Sequence, residues 1–103
     1  MKVDEIYYRI INAVNFFLES VGSITIDGLK EVNPSVERIA KDMRTLSNIL
    51  KDLAGSSYED QNLAINALQC CFIMEELAIA VSEEREGDFD ELFRKLELHT
   101  KVP

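Results

Sequence analysis

Side chains that could act as acids, bases or nucleophiles are few in this sequence. His99 is the single histidine, and it lies near the C-terminal end in a charged segment beside Glu97. A general base needs an orienting partner and a sheltered site. We expect this segment to provide neither, so the sequence does not predict a catalytic histidine.

Two cysteines, Cys70 and Cys71, are adjacent in the sequence and there are no others. Neighbouring residues on a helix point about 100° apart, so the two cannot form an unstrained disulfide with each other. A C-x-x-C motif and further zinc ligands at a recognisable spacing are also missing. We therefore expect two small buried side chains in a reducing compartment.

Carboxylates are the remaining candidates for metal chemistry. A magnesium site on facing helices needs acids spaced three and four residues apart, but position 79, after Glu75 and Glu76, is Ile79. The acidic cluster from Glu83 to Glu91 contains Gly87 and lacks the ligand order of a calcium-binding EF-hand loop. The sequence predicts no metal, no cofactor and no enzyme.

The segment from Leu63 to Val81 must organise the fold, because fifteen of its nineteen residues are apolar. A membrane span would place Glu75 and Glu76 near the bilayer interior, at about 2.5 to 3.5 kcal/mol each. We therefore expect a buried helix in a soluble bundle and no membrane partner. One stripe of this helix is formed by Leu63, Ala67, Cys70, Met74, Leu77 and Val81, and a second by Ile65, Leu68, Phe72 and Ile79.

Helical periodicity and chain breakers predict four helices. The first runs from Asp4 to Ser20, with an apolar face wide enough for two neighbours, made of Ile6, Tyr7, Ile10, Ile11, Ala13, Val14, Phe17, Leu18 and Val21. The second begins with Asn33 as N-cap and Pro34 at the first helical position. Its narrow seam, which we expect to pack inside the bundle, is formed by Val36, Ile39, Met43, Leu46, Leu50 and Leu53.

The third helix begins at the sequence Ser56-Ser57-Tyr58-Glu59, which has the spacing of a capping box. It is expected to continue to Glu86, where Gly87 supplies a left-handed stop. Asp88 then caps a short fourth helix, and Lys101 to Pro103 is expected to fray. The segment from Ser23 to Val32 contains Asp27-Gly28 between isoleucines, and we favour an irregular loop over a two-stranded hairpin.

These elements define an all-α fold, a single-domain four-helix bundle over residues 1–103 with a long central third helix. With 103 residues, the chain can bury one core without disulfides or a metal. The start of the sequence, with Asp4 and Glu5, does not resemble a secretory signal, so we expect a cytoplasmic protein.

Charge is the strongest functional signal. The net charge is −8, and from Gly55 to Phe93 there are ten acids against Arg85 alone. We hypothesise a small acidic, non-enzymatic binding protein, of the inhibitor or immunity kind, that captures a basic protein partner. The binding residues would be Glu83, Glu84, Glu86, Asp88, Asp90 and Glu91.

Two alternatives stay open. The first is a homodimeric adaptor or structural subunit that associates through the seam of the second helix or the wide face of the first. The second is that the acidic segment only keeps a small protein soluble. Direct contact with nucleic acid is not expected for a chain of this charge.

Overall fold

The computed structural model describes residues 2–21 and 26–101, without the side chains of Val21, Ile26 and Lys101. The described chain is an all-α bundle of four helices, about 43 Å long and 22 by 18 Å across. The helices are α1 (Val3–Val21), α2 (Ile26–Ala54), α3 (Tyr58–Ser82) and α4 (Phe89–Lys101), and a 3-10 turn, Glu86–Asp88, precedes α4. The predicted fold class is confirmed.

Both α1 and α3 contact all the other helices. The predicted inward face of α1 is buried at Ile6, Tyr7, Ile10, Val14 and Phe17. The first predicted stripe of α3 is buried as well, with Ala67, Cys70, Met74 and Leu77 fully enclosed. The core therefore lies between these two helices, with α2 and α4 on either side.

The second helix begins at Ile26, eight residues before the predicted first helical residue, so Pro34 lies inside it. Neither a hairpin nor a loop forms over residues 26–32, and Ser23 to Thr25 lie outside the described residues. Asn33 is not an N-cap, because its amide is buried and donates to Ala78 of α3. Pro34 has no amide hydrogen, so the carbonyl of Lys30 lacks its usual helical donor. Both residues are exposed, so water can replace the missing hydrogen bond.

The buried seam of α2 is rotated relative to the predicted one. Ile39 and Leu46 are only partly buried and Leu53 is exposed. The seam is instead formed by Leu29, Asn33, Val36, Ala40, Met43, Ser47, Leu50 and Ala54. Small side chains at alternate positions let α2 approach α3 closely, and the Sγ atom of Cys71 lies 3.3 Å from the carbonyl oxygen of Ala40.

The ends of α3 also differ from the prediction. Ser57, not Ser56, is the N-cap, and its Oγ accepts a hydrogen bond of 3.3 Å from the amide of Asp60. At the other end, the amide of Arg85 donates to the carbonyl of Ala80 over 2.8 Å, which defines a Schellman motif. Its left-handed residue is Glu84, with φ 58°, rather than Gly87. The helix therefore stops at Ser82, four residues before Glu86.

Candidate functional site

The acidic junction, residues 83–91, forms the turn between α3 and α4 and is exposed except for Phe89 and partly Asp88. Four of its six predicted binding carboxylates form ion pairs within the protein. Arg85 lies 3.1 Å from Glu83 and 3.0 Å from Asp88, and Lys95 lies 3.4 Å from Glu91. Lys30 of α2 pairs with Glu84.

Two carboxylates of the junction, Glu86 and Asp90, have no ion-pair partner among residues 2–21 and 26–101. The junction is thus a group of six acids in which three cations already take part. Because all of these pairs are exposed to solvent, each contributes at most about 1 kcal/mol, and a competing cation could replace its partner.

His99 lies inside α4 and is partly buried, although from the sequence we expected neither shelter nor an orienting partner for it. Its Nδ1 lies 2.9 Å from Oδ1 of Asn66, and the amide nitrogen of Asn66 donates to the hydroxyl of Tyr7 over 2.7 Å. Burial is the main reason that the pKa of Tyr7 is raised. This half-buried network of hydrogen bonds joins α1, α3 and α4. Its role is therefore structural.

The two cysteines are free and fully buried. Burial raises the pKa of Cys70 to about 11 and that of Cys71 to about 12, the latter with a contribution from the carboxylate of Glu75. Thiols with such values are poor nucleophiles at neutral pH. Within the described ranges, no three His, Cys, Asp or Glu side chains come close enough to hold a metal ion.

The most distinctive surface lies on α3 and was not recognised as a surface in the sequence. We call Ile65, Leu68, Phe72 and Ile79 the α3 stripe. Ile65, Phe72 and Ile79 are 55%, 48% and 51% exposed, although they were expected to be enclosed. Leu68 lies three residues after Ile65 and four before Phe72, and Ile79 follows seven residues later with Glu75 at the position between them. The four apolar side chains therefore lie along one side of α3, with a carboxylate before the last of them.

Two pockets lie between α2 and α3 beside this stripe, and we call them together the groove. The pocket near the acidic junction has a volume of about 440 Å³ and is lined by residues such as Lys41 and Ile79. The pocket towards the α2–α3 turn has a volume of about 400 Å³ and is lined by residues such as Lys51 and Leu68. The α2 side carries Lys41, Arg44 and Lys51, which we call the α2 cationic row, and it also carries Glu37 one turn before Lys41.

Arg44 is the centre of this face. Its guanidinium lies 5.2 Å from the centroid of the Phe72 ring and donates to Oε1 of Glu75 from Nη2, over 2.6 Å, and from Nε, over 3.0 Å. The pKa of Arg44 is raised by this bond and by the charge of Glu75. The hydrogen bonds and the cation–π contact together fix the position of the Phe72 ring on the surface.

The opposite flank of the stripe has a different character. Asn62, Gln69 and Glu76 follow one another at intervals of seven residues and are all exposed. At 100° per residue, these positions lie on the side of the stripe away from α2. The face therefore has an apolar ridge, a cationic edge on α2 and a polar, partly acidic edge on α3.

Glu37 and Lys41, like Arg38 and Asp42, are spaced four residues apart on α2, but neither pair forms an ion pair in the described chain. Glu37 instead accepts a 3.5 Å hydrogen bond from Asn33. Lys41 is consequently free to interact with groups outside the described protein.

One described helix, α3, has the length and hydropathy of a membrane span, and 56% of its apolar window is buried inside the bundle. The central helix of a bundle passes the same test, and the exposed side of this helix includes the α3 stripe.

The fold and this face together define a four-helix bundle with a partly uncovered helix pair. No family model, curated protein or solved structure matches the chain.

The signal for this face was present in the sequence, since the second stripe of α3 was identified there. What was missing was its exposure. A helix with apolar residues on most sides is normally enclosed on all of them, and the pattern alone does not show that α2 and α4 leave one side open.

Proposed function

We propose that this protein is a non-enzymatic helical binding module whose α2–α3 face receives a helix of a protein partner. The observation that carries the proposal is the α3 stripe, a row of apolar side chains at coiled-coil spacing that lies about half exposed. Exposed apolar side chains in a continuous row are typical of protein interaction sites.

The chemistry of the partner follows from the edge of the groove. Lys41, Arg44 and Lys51 lie along one side of the stripe, where Glu37 is one turn before Lys41 and Arg44 is paired with Glu75. A helix with apolar residues at a three-and-four spacing and acids along one edge would bury the stripe and also meet these cations. Helix-in-groove binding of this kind obtains its affinity from the apolar anchors and its orientation from the charges at the edge.

The proposal is tested by comparing what the unmodified protein and two variants retain from an extract of the native host. Phe72→Glu introduces a charge in the middle of the stripe and should abolish retention. Phe16→Glu is the matched control, because Phe16 is 72% exposed on α1, away from this face, and should leave retention unchanged. Equal retention by both variants would contradict the proposal.

A second candidate function, capture of a basic protein partner by the acidic junction, is favoured by one observation. Glu86 and Asp90 are exposed and have no ion-pair partner among the described residues. A group of acids with unpaired members attracts basic surfaces and increases the rate of association.

The charge-reversal variant Glu86→Lys/Asp90→Lys tests this candidate without disrupting the ion pairs of Glu84 and Asp88. Slower association with a basic partner, with an unchanged circular dichroism spectrum, is the expected result. The charge-reversal variant Asp42→Lys/Asp52→Lys on α2 is the control, since both residues are exposed and lie outside the junction. The candidate is refuted if only the control variant slows association.

A further inference from the structure

We infer that the pocket towards the α2–α3 turn is a binding site for a small amphiphile, a molecule with one short apolar chain and one anionic head group. We call this pocket the turn pocket. The inference goes beyond the proposed function, because it needs no partner protein and concerns a site that Phe72 does not line.

The turn pocket has the size and the lining of a small-molecule site. Its volume is about 400 Å³, within the roughly 300 to 1,000 Å³ that is usual for such pockets. Its α3 wall is formed by Ala64, Ile65 and Leu68, and most of the surface that lines it is apolar. The side chain of Gln61 donates to the carbonyl of Gly55 and so joins α3 to the turn beside the pocket. Such a lining favours a short apolar chain.

Charge decides the head group. Among the described residues that line the turn pocket, Lys51 is the only charged one, and it forms no ion pair with the side chains of residues 2–20 and 27–100. The other pocket of the groove is lined by two cations and by three carboxylates, those of Glu37, Glu75 and Glu83. An anionic head group therefore meets an unpaired cation in the turn pocket and a net negative lining in the other one.

A buried hydroxyl supplies a second polar group. Ser47 lines the turn pocket and is only 2% exposed, and its Oγ has no hydrogen-bond partner in the described part of the chain. Thr45 on the same helix instead donates to the carbonyl of Lys41, four residues earlier, over 3.3 Å. A buried hydroxyl without a partner is unfavourable, and alanine would allow the same close approach of α2 to α3. The fold alone therefore does not account for a serine here.

Ser47 and Lys51 can act on the same head group. They are four residues apart on α2, so both lie on the side of the helix that borders the pocket. Rotation about the Cα–Cβ bond of Ser47 can turn its hydroxyl towards a ligand in this pocket. The hydroxyl and the ammonium group both donate hydrogen bonds, so the head group must accept them. With the head group between these donors, the chain of the ligand lies against Ile65 and Leu68.

Titration of the intact, purified chain with sodium octanoate at pH 7, followed by amide NMR, tests the inference. We expect saturable binding of one molecule with a Kd of about 1 mM or lower, and shifts confined to the turn pocket. Octanamide has a similar chain and a neutral head group, and it should bind about fivefold more weakly or worse. The absence of saturable binding, equal affinity for both compounds, or shifts centred on the other pocket overturns the inference.

Two lysine variants test the role of charge. Lys51→Met removes the cation but keeps an apolar stem, so it should weaken octanoate binding about fivefold and leave octanamide binding unchanged. Lys41→Met is the matched control, because it changes the net charge by the same amount but lies in the other pocket. It should leave both affinities unchanged. A loss of octanoate affinity in both variants, or in neither, contradicts the assignment of the head group to Lys51.

Ser47→Ala separates a binding role of the hydroxyl from a structural one. It should weaken octanoate binding about threefold or more, because one hydrogen bond is lost. The same variant should not lower the urea midpoint of the free protein, because the hydroxyl has no partner there. Lower stability would show that the hydroxyl supports the fold, and an unchanged affinity would exclude it from the site. Either result overturns the role assigned to Ser47.

The inference and the proposed function can fail separately. Octanoate binding at the turn pocket, together with host retention that Phe72→Glu does not change, supports this site and refutes the binding module. Retention that depends on Phe72, in a protein that does not bind octanoate, supports the module and refutes this site.

Discussion

The guanidinium of Arg44 on α2 lies 5.2 Å from the centre of the Phe72 ring on α3, and the same group is hydrogen-bonded to Glu75. This contact joins the cationic and apolar parts of the α2–α3 face. It also neutralises Glu75, which would otherwise present an unpaired carboxylate beside an apolar interface.

Arg44→Met tests this relationship. The free energy of unfolding should change little, because the ion pair is exposed to solvent. Retention of a partner through the α2–α3 face should weaken about tenfold or more, since Glu75 is then unpaired next to Phe72. Retention from the host extract measures the binding and urea unfolding measures the stability. Arg94→Met on α4 is the control and should change neither quantity, because the guanidinium of Arg94 forms no ion pair with the side chains that the structure describes.

Asn33 provides a test of the α2–α3 contact in the core. Its Nδ2 donates to the carbonyl of Ala78 over 3.2 Å and to Oγ of Ser82 over 3.0 Å. Asn33→Asp replaces this donor with a buried carboxylate near Glu37, and should cost on the order of 3 kcal/mol in unfolding free energy at pH 7.

The cost of Asn33→Asp should also depend on pH. Protonation of the introduced carboxyl restores one donor and removes the buried charge, so the difference from the unmodified protein should shrink as the pH falls. Asn48→Asp, at an exposed position of the same helix, is the control. If the difference in unfolding free energy between Asn33→Asp and the unmodified protein is the same at pH 7 and pH 4, the hydrogen-bond donor at position 33 is not important.

Gly55 and Gly87 are predicted to respond in opposite ways to alanine. Gly55 has φ +54°, a conformation that is unfavourable for other residues, so Gly55→Ala should lower stability by about 1 kcal/mol. Gly87 has no positive φ, and a Cβ built on it meets nothing within 4 Å. Gly87→Ala should raise stability by about 0.5 kcal/mol, through the entropy of the unfolded chain.

Thermal unfolding measures both glycine variants. The sequence-based expectation that Gly87 is a left-handed stop requires the opposite result at that position. A loss of stability with Gly87→Ala would therefore support the expectation over the structure.

The buried cysteines should make the protein sensitive to alkali. Their pKa values are raised from 9.0 to about 11 for Cys70 and about 12 for Cys71. The folded state therefore binds these protons more strongly than the unfolded state. The corresponding stability is complete below pH 9 and is lost as the pH rises towards 11 and 12.

For Cys70 alone this loss amounts to about 2 kcal/mol at pH 11. The double variant Cys70→Ala/Cys71→Ala should be less stable at pH 7, because buried atoms are removed, but should lose less stability between pH 8 and pH 11. Urea unfolding at several pH values provides the comparison. Parallel pH profiles for the two proteins would show that the thiols do not contribute.

Much of the fold could be predicted from residue patterns. The four helices, the inward face of α1 and the first stripe of α3 follow from periodicity, because an amphipathic helix must bury its apolar side. The start of α2 could not be predicted, since Pro34 and Gly28 indicate a break. The packing of Leu29 and the hydrogen bonds of Asn33 to α3 outweigh these local preferences.

The same distinction applies to the candidate sites. The concentration of acids from Glu83 to Glu91 is a property of the sequence, but the partners of these acids are not. Lys30 is 54 residues away from Glu84 along the chain, and only the packing of α2 beside the end of α3 brings them together. No local pattern predicts a pair of this separation.

The sequence by itself determined the helical class, the central position of α3 and the acidic character of the chain, because these depend on composition and on short-range spacing. The tertiary structure decided which stripe of α3 is left uncovered. It also decided that Arg44 meets Phe72 and that four acids of the junction are paired. The physical reason is that exposure and ion pairing depend on the rotation of α2 and α4 against α3, which is set by the close contact of small side chains between the helices.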